Sequence, residues 1–302
     1  MRVVSLLPSA TEMVCAVGAA EWLVGISHEC DFPAKVRDRP VLTSARIMTS
    51  SSSKAIDVAV RGVIENALSI YAVDEAKLAA LAPDVIVTQD LCEVCAVSLD
   101  DVRSAVAKLA HRDAVNIVSL SPTRLAHVWN DVESVARALG RAEEGARVRA
   151  SLEARVARVH DRASALPRRR VVTIEWLDPI MLGGTWMPEL IELAGGIAAG
   201  AQAGAPAPTV TMEELVRLAP DVVVVKPCGF DVERTLKEAH LVDAMAAALP
   251  EASVFVTDGN AYFNRPGPRL VESLEILASF LHPQAFPECI SGFDWRTRSP
   301  SR

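Results

Sequence analysis

Short apolar runs alternate with longer segments of helical periodicity along most of the chain. The short runs predict buried β-strands. They lie at residues 3–7, 23–26, 85–88, 171–174, 222–225 and 254–256. The periodic segments predict helices, among them 11–17, 74–81, 188–194, 211–218 and 270–281. Strands that alternate with helices are typical of parallel sheets with both faces covered, so the predicted fold class is α/β.

One part of the pattern occurs twice. The segment LAPDVIV at 81–87 returns as LAPDVVV at 218–224, an offset of 137 residues. In both copies the Pro-Asp pair ends a predicted helix and the apolar run after it predicts a buried strand. RVVS at 2–5 and RVVT at 170–173 open the two halves in a similar way. The repeat therefore predicts two related α/β lobes.

The region between the halves has a different pattern. Residues 123–139 and 142–165 predict two helices separated by Gly140, and the second has one apolar face and one charged face that we expect to be solvated. Twenty-four helical residues make a rod of about 36 Å. The predicted architecture is two Rossmann-like lobes with mostly parallel sheets, joined by a long rigid helix, with a ligand cleft between them. The predicted divisions are an N-terminal lobe at 1–121, connecting helices at 122–168, a C-terminal lobe at 169–283 and a flexible tail at 284–302.

The composition and the first residues of the chain argue against several classes of function and location. Half of the residues are hydrophobic, and 31 basic residues against 38 acidic ones give a net charge of −7. This argues against disorder and against nucleic acid as a partner, and no apolar stretch is long enough to span a membrane. The apolar run 3–7 stops at Pro8 and is too short for a secretory signal. We predict a monomer in the cytoplasm, or a periplasmic or extracellular protein if the chain is a mature or truncated form.

Cysteines are concentrated in loops that follow strands, where open α/β sheets bind ligands. Cys30, Cys92, Cys95 and Cys228 lie in such loops, and His28 accompanies Cys30. Thiolates and imidazole are ligands for Zn²⁺, Cu⁺ or an Fe–S cluster. Buried thiols that merely pack the core, and a redox pair at Cys92 and Cys95, are the alternatives.

Aromatic residues make up only 5% of the chain, yet several follow predicted strands. Such rings suit a flat, apolar macrocycle, and Arg265 can bind carboxylate, phosphate or amide oxygens. Ordinary core packing, or simple capping by Ser9, would explain any one of these residues as well. The predicted ligand-contacting residues are Pro8, Ser9, His28, Glu29, Trp176, Trp186, Phe230, Tyr262, Phe263 and Arg265.

From Met1 to about Pro283 the chain resembles the class III substrate-binding proteins of ABC importers. The opening VSLLPSATE at 4–12, the repeated Leu-x-Pro-Asp-Val motif and RPGPR at 265–269 carry this resemblance. The segments 27–31, 92–95 and 258–263 resemble a cobalamin-binding-like subgroup lacking a signal peptide. The resemblance implies two lobes, a long connecting helix and a ligand that is an iron–siderophore, haem or vitamin B12.

The resemblance also implies a partner. Members of this family dock on an ABC permease through an acidic residue on each lobe. Glu213 fits that role in the second lobe, and Asp74 or Glu75 in the first.

Two hypotheses for the function follow. The first is a substrate-binding protein that holds a corrinoid (cobalamin-like) ligand or another small-molecule metal chelate, and feeds an ABC importer. The alternative is a cytoplasmic metal-site protein in which Cys30, Cys92, Cys95 and Cys228 hold Zn or an Fe–S cluster. The chain has no Gly-x-Ser-x-Gly elbow, P-loop or Gly-x-Gly-x-x-Gly fingerprint, so we predict that it is not an enzyme.

Overall fold

The structure is a computed structural model that describes residues 1–47, 51–65, 71–89, 99–109, 112–289 and 293–298. The chain divides into two compact units. The first unit comprises Met1–Ser51, Ala55–Pro122 and Ala126–Ser151, and the second comprises Ser52–Lys54, Thr123–Leu125 and Leu152–Arg302. The lobe boundaries expected from the sequence stay a prediction.

The first unit contains a four-stranded parallel sheet and a small antiparallel pair. Its strands are β1 (Val3–Ser5), β2 (Leu23–Ile26), β3 (Thr43–Ala45), β4 (Tyr71–Val73), β5 (Val85–Gln89) and β6 (Asn116–Leu120). The parallel sheet has the order β2-β1-β5-β6, and β3 pairs with β4. Buried side chains such as Val4, Leu78, Ile86 and Val102 form the core against one face of this sheet.

In the described part of the chain, six helices precede strand β7 (Arg169–Trp176) of the second unit. They are α1 (Pro8–Ala16), α2 (Ser53–Glu65), α3 (Glu75–Leu81), α4 (Leu99–Ala107), α5 (Leu125–Ala138) and α6 (Ala142–Ala163). Helix α1 begins three residues earlier than predicted, because Pro8 suits the first helical position. Helix α6 confirms the predicted long helix, and its 22 residues span about 33 Å.

The second unit is built on a six-stranded mixed sheet. Its strands are β7 (Arg169–Trp176), β8 (Met181–Leu182), β9 (Gly196–Ala198), β10 (Val222–Val225), β11 (Ser253–Thr257) and β12 (Trp295–Arg298). Strands β9, β7, β10 and β11 run parallel, whereas β8 and β12 are antiparallel to their neighbours. Its helices are α7 (Met187–Leu193), α8 (Met212–Arg217), α9 (Val232–Leu236), α10 (Ala239–Ala248) and α11 (Leu270–Leu281). The α/β fold class predicted from the sequence is confirmed.

The two copies of the sequence repeat adopt the same local structure. Asp84 accepts a hydrogen bond from the backbone N of Arg2 at 2.7 Å, and Asp221 accepts one from the backbone N of Arg170 at 2.6 Å. In each copy the guanidinium of that arginine donates to the carbonyl at the end of the preceding helix, on Leu81 or Leu218. The Leu-Ala-Pro-Asp segment therefore ties a helix end to the start of two neighbouring strands.

Parts of the predicted flexible tail have regular structure. Within 284–302, Pro287–Cys289 form a 3-10 turn and β12 pairs with β11. The ring of Trp295 packs 6.0 Å from that of Phe255, which itself stacks on Phe280 at 4.3 Å. This aromatic residue holds β12 to the sheet, and the flexibility of the tail as a whole stays a prediction. None of the helices in the described ranges is long and apolar enough to cross a membrane.

Candidate ligand site

In the first unit, the loop after β2 presents His28 beside two hydroxyl groups. Thr43 Oγ1 accepts the backbone N–H of His28 at 3.0 Å and lies 3.0 Å from Ser27 Oγ. Thr43 Oγ1 also forms a hydrogen bond with His28 Nδ1 at 2.6 Å. Nδ1 is therefore engaged by Thr43, whereas Nε2 makes no hydrogen bond within the described part of the chain.

Burial of the His28 ring lowers its pKa below the ordinary value, although the neighbouring Glu29 carboxylate opposes that effect. His28 is consequently neutral at neutral pH. Tyr71 donates its hydroxyl hydrogen to Glu29 Oε1 at 2.6 Å and meets the His28 ring edge-on, with 5.0 Å between centroids. A neutral imidazole with its Nε2 lone pair outward is a metal ligand or a hydrogen-bond acceptor.

Helix α1 begins without a side-chain cap. The side chain of Ser9 is buried, and its Oγ has no hydrogen-bond partner among the described residues. A buried helix N-terminus without partners is typical of a place where a water or a ligand oxygen completes the hydrogen bonds. Pro8 and Ser9, which the sequence predicts to contact a ligand, lie at this helix start, and both are buried.

In the second unit, a buried lysine joins the end of one strand to the loops after two others. The fully buried side chain of Lys226 donates from Nζ to Glu175 Oε2 at 3.0 Å and to Asn264 Oδ1 at 2.6 Å. Asn264 donates in turn to the carbonyl oxygens of Lys226 and Gly259. A Cβ on Gly259 would overlap the backbone of Lys226 and Pro227, so the close approach of these loops requires glycine. The ammonium group is neutralised and bonded, as a buried charge must be.

A second polar cluster surrounds Ser53. Both carboxylate oxygens of Glu238 accept hydrogen bonds from Ser53, and Arg234 Nη1 donates to Glu238 at 3.0 Å. Although burial opposes it, these bonds hold the pKa of Glu238 below its ordinary value. Arg234 also lies 4.0 Å over the ring of Phe230, and Trp176 donates its indole N–H to the Ser53 carbonyl at 3.2 Å.

The loop after β11 forms a tight acidic turn. Asp258 Oδ1 accepts the backbone N–H groups of Asn260 at 2.8 Å and Ala261 at 2.7 Å. Burial raises the pKa of Asp258 and the pKa of the Tyr262 phenol. Arg265 donates to Asn260 Oδ1 at 3.0 Å, and the Arg269 guanidinium lies 5.3 Å from the Tyr262 ring centroid.

Several residues predicted to contact ligand are buried. Phe263 is fully buried and Trp186 is nearly so, with the indole N–H of Trp186 bonded to the Phe263 carbonyl at 2.8 Å. Phe230 is also buried, and Arg265 is only 7% exposed. His28, Glu29, Trp176 and Tyr262 keep accessible surface. The ligand contacts of both groups stay a prediction.

The predicted cysteine site has no support among the described residues. No group of three or more His, Cys, Asp or Glu side chains there is arranged to hold a metal ion. Cys92 and Cys95 lie outside the described residues. Cys30 is buried with Sγ 3.0 Å from Thr11 Oγ1, and the backbone N of Cys228 donates to the Glu175 carbonyl.

Sequence reasoning did not single out Lys226, Glu238 or Tyr71. Lys226 directly follows the apolar run 222–225. A lysine at the end of a buried strand indicates an ammonium group that must pair with another side chain inside the protein. Glu238 and Tyr71 gave no comparable signal, since their partners, Ser53 and Glu29, are far away along the chain.

Several binding proteins resemble the chain over most of its length. The vitamin B12-binding protein of Vibrio cholerae serotype O1 is 22% identical over 285 residues, which cover 93% of this chain and 88% of that protein. The structure of the periplasmic vitamin B12 binding protein of Vibrio cholerae matches with a TM-score of 0.66 and 19% identity, covering 93% of this chain and 96% of that one. A periplasmic heme binding protein from Pseudomonas aeruginosa gives a TM-score of 0.68 and 18% identity, covering 99% and 95%. At these identities the structures establish the fold.

A single family model covers most of the chain. The periplasmic binding protein family matches residues 3–260. Its members are binding proteins, and its description agrees with the periplasmic location given above as the alternative. The comparisons give the cytoplasmic prediction no support. With a match over most of its length, the chain belongs to the periplasmic binding protein family.

Proposed function

We propose that this chain is the substrate-binding protein of an ABC importer and that its cargo is a corrinoid of the cobalamin type. The observation that carries the proposal is the 22% identity to a vitamin B12-binding protein over 93% of the chain. The heme-binding proteins among the structural relatives support the broader class, a flat macrocycle that chelates a metal. Such a protein works in the periplasm, and the cleft expected from the sequence stays a prediction.

The loop after β2 suits a metal chelate. His28 keeps accessible surface, and Thr43 engages its Nδ1. In this proposal Nδ1 carries the proton and Nε2 offers its lone pair to a metal. Tyr71 limits rotation of the ring from one side. In this proposal His28 ligates the metal of the cargo, and Trp176 and Tyr262 contribute apolar contacts.

The proposed partner is an ABC permease. Glu213 is exposed in the first turn of α8, whereas Asp74 caps α3 and Glu75 pairs with Lys108 at 2.6 Å. An exposed carboxylate that is not committed to an ion pair is the better docking group, so Glu213 is the primary docking residue in this proposal.

Visible spectroscopy with aquacobalamin tests the cargo. The protein is mixed with the corrinoid and desalted, and we expect it to retain colour and to shift the spectrum as imidazole replaces the cobalt-bound water. His28→Gln should remove the shift, whereas His240→Gln, at an exposed histidine of α10, should keep it. Because the pKa of His28 is below its usual value, the shift should persist at pH 6.5 and disappear only at more acid pH.

Three results would contradict parts of this proposal. Loss of all colour on desalting, with no heat on titration of cyanocobalamin, would exclude a corrinoid as the cargo. Retention of hemin alone would replace it with a haem. Colour without a His28-dependent shift would remove the metal-ligand role and leave the binding role.

A further inference from the structure

The ion pair between Lys226 and Glu175 has a buried end and an exposed end. The Lys226 side chain is 0% exposed, whereas the Glu175 side chain is 30% exposed. Lys226 follows β10, Glu175 lies near the end of β7, and the third member, Asn264, follows β11. The pair is therefore a fixed dipole whose negative end is at the surface of the post-strand loops.

One oxygen of Glu175 is left to accept a hydrogen bond. Its Oε2 is committed to Lys226, while in the described part of the chain no group donates to Oε1. The rigid partners of Lys226 hold the carboxylate in place, because Asn264 is itself bonded to two carbonyl oxygens. An ionised carboxylate can only accept hydrogen bonds, so this position attracts N–H or O–H donors.

The neighbouring cations do not offset this negative end. Arg265 is bonded to Asn260, Arg269 lies against Tyr262, and both are 7% exposed. Arg234 is paired with Glu238. A ligand that approached these loops with a carboxylate would meet Glu175 and no exposed guanidinium from this set.

The two macrocycle classes differ in this respect. Cobalamin and cobinamide carry neutral primary amides around the ring, and these amides are hydrogen-bond donors. Haem carries two ionised propionates. We propose that Glu175, positioned by Lys226, selects amide-bearing chelates and discriminates against carboxylate-bearing ones. This inference rests on the proposed function, since it assigns the ligand class of the same post-strand loops.

Calorimetry with a matched pair of corrinoids tests the selection. Dicyanocobinamide and dicyanocobyrinic acid share the corrin ring and carry amides and carboxylates, respectively. We expect wild-type protein at pH 7.5 to bind the amide compound more tightly, by about tenfold or more. Glu175→Gln should reduce that ratio by about tenfold. Glu251→Gln, at an exposed glutamate that changes the net charge equally, should leave it within about twofold.

A second variant allows for loss of folding. Glu175→Gln leaves Lys226 buried without its charged partner, which destabilises proteins strongly. The double change Glu175→Gln with Lys226→Gln removes both charges and keeps a donor for Asn264, and it should lower the ratio as well. Circular dichroism verifies that each variant is folded.

The outcomes separate this inference from the proposed function. If folded wild-type protein binds neither cyanocobalamin nor dicyanocobinamide, the proposed function fails. If wild-type protein binds the amide and carboxylate compounds equally, the inference is overturned and the proposed function stands. The same holds if folded variants at Glu175 and the Glu251→Gln control all keep the wild-type ratio of the two affinities.

Discussion

At the scale of single residues, the repeat contains an unusual backbone conformation. Ala82 and Ala219 follow α3 and α8, and both have positive φ angles, of 40° and 45°. A residue with a Cβ is disfavoured there, and glycine is the usual choice at such a helix end. Because a proline follows in each copy, the alanine before it is the residue that adopts the turn conformation.

Glycine at either position should stabilise the protein. Relief of left-handed strain is worth about 1–2 kcal/mol, and the added freedom of the unfolded chain offsets about 0.4–1 kcal/mol. We therefore expect Ala82→Gly and Ala219→Gly each to raise the free energy of unfolding by about 0.5–1 kcal/mol, measured by urea denaturation. Ala154→Gly, at an exposed position inside α6, should instead lower it by about 1 kcal/mol. Destabilisation by all three changes would contradict the strain argument.

The role of a side chain could be predicted from the sequence only where its partner is close along the chain or where the residue type is unusual for its position. His28 was identified from its place after a strand, but its tautomer depends on Thr43, fifteen positions away. Phe263 and Trp186 were expected at the ligand surface because they are aromatic and follow strands. Burial is decided by contacts with other elements, such as the hydrogen bond from the Phe263 backbone N–H to Ser273 Oγ of α11, and the local pattern does not contain them.

At the scale of elements, helix α5 contains a carboxyl group in an environment that disfavours its ionisation. Asp131 lies on its half-buried side, and Oδ2 of that carboxylate has no hydrogen-bond partner among the described residues. Burial raises the pKa of Asp131 to about 7. The folded protein therefore holds this proton more tightly than the unfolded chain does, so ionisation works against folding as pH rises.

Asp131→Asn should remove this pH dependence. Above pH 7 the folded protein contains the ionised, unpartnered carboxylate, and the variant should be more stable by about 1–2 kcal/mol after allowance for partial exposure. Near pH 4 both forms are neutral in the folded state, and the difference should be close to zero. Thermal melts from pH 4 to 8 measure it. Asp161→Asn, at an exposed aspartate of α6, should show no such trend, and a parallel offset at every pH would refute the assignment.

Elements with continuous apolar runs were predictable. Strand β10 and helix α11 begin and end where the sequence placed them, because VVVV and the heptad-like apolar face need no distant partner to be recognised. Strands β3, β4, β6, β8, β9 and β12 were missed. Each has two to five residues and depends on pairing with a strand elsewhere, so a local window contains little sign of it.

At the scale of the whole molecule, the repeat predicted two related units, and the family match agrees with it. The Lys226 cluster was not predictable, because its three members lie at the ends of three different strands or in the loops after them. Sequence placed those loops at the carboxyl ends of strands but did not indicate which side chains would pair.

Ligand binding should raise the stability of the folded protein. At a cyanocobalamin concentration of about 100 times Kd, the free energy of unfolding rises by about 2.7 kcal/mol, and Tm by roughly 5 °C or more. Differential scanning fluorimetry with increasing cyanocobalamin measures the change. The free base 5,6-dimethylbenzimidazole, which lacks the corrin ring, is the control and should cause no shift. An unchanged Tm at saturating corrinoid would contradict the proposed cargo.

Strand β12 decides how the second sheet ends. It covers the hydrogen-bonding edge of β11, and Arg296 and Arg298 in its sequence, WRTR, pair with Asp294 and Asp243. An open apolar edge invites another chain to add a strand, whereas an edge strand that carries charged side chains disfavours such pairing. We therefore expect a shortened chain without 295–298 to expose the edge of β11 and to form edge-to-edge aggregates.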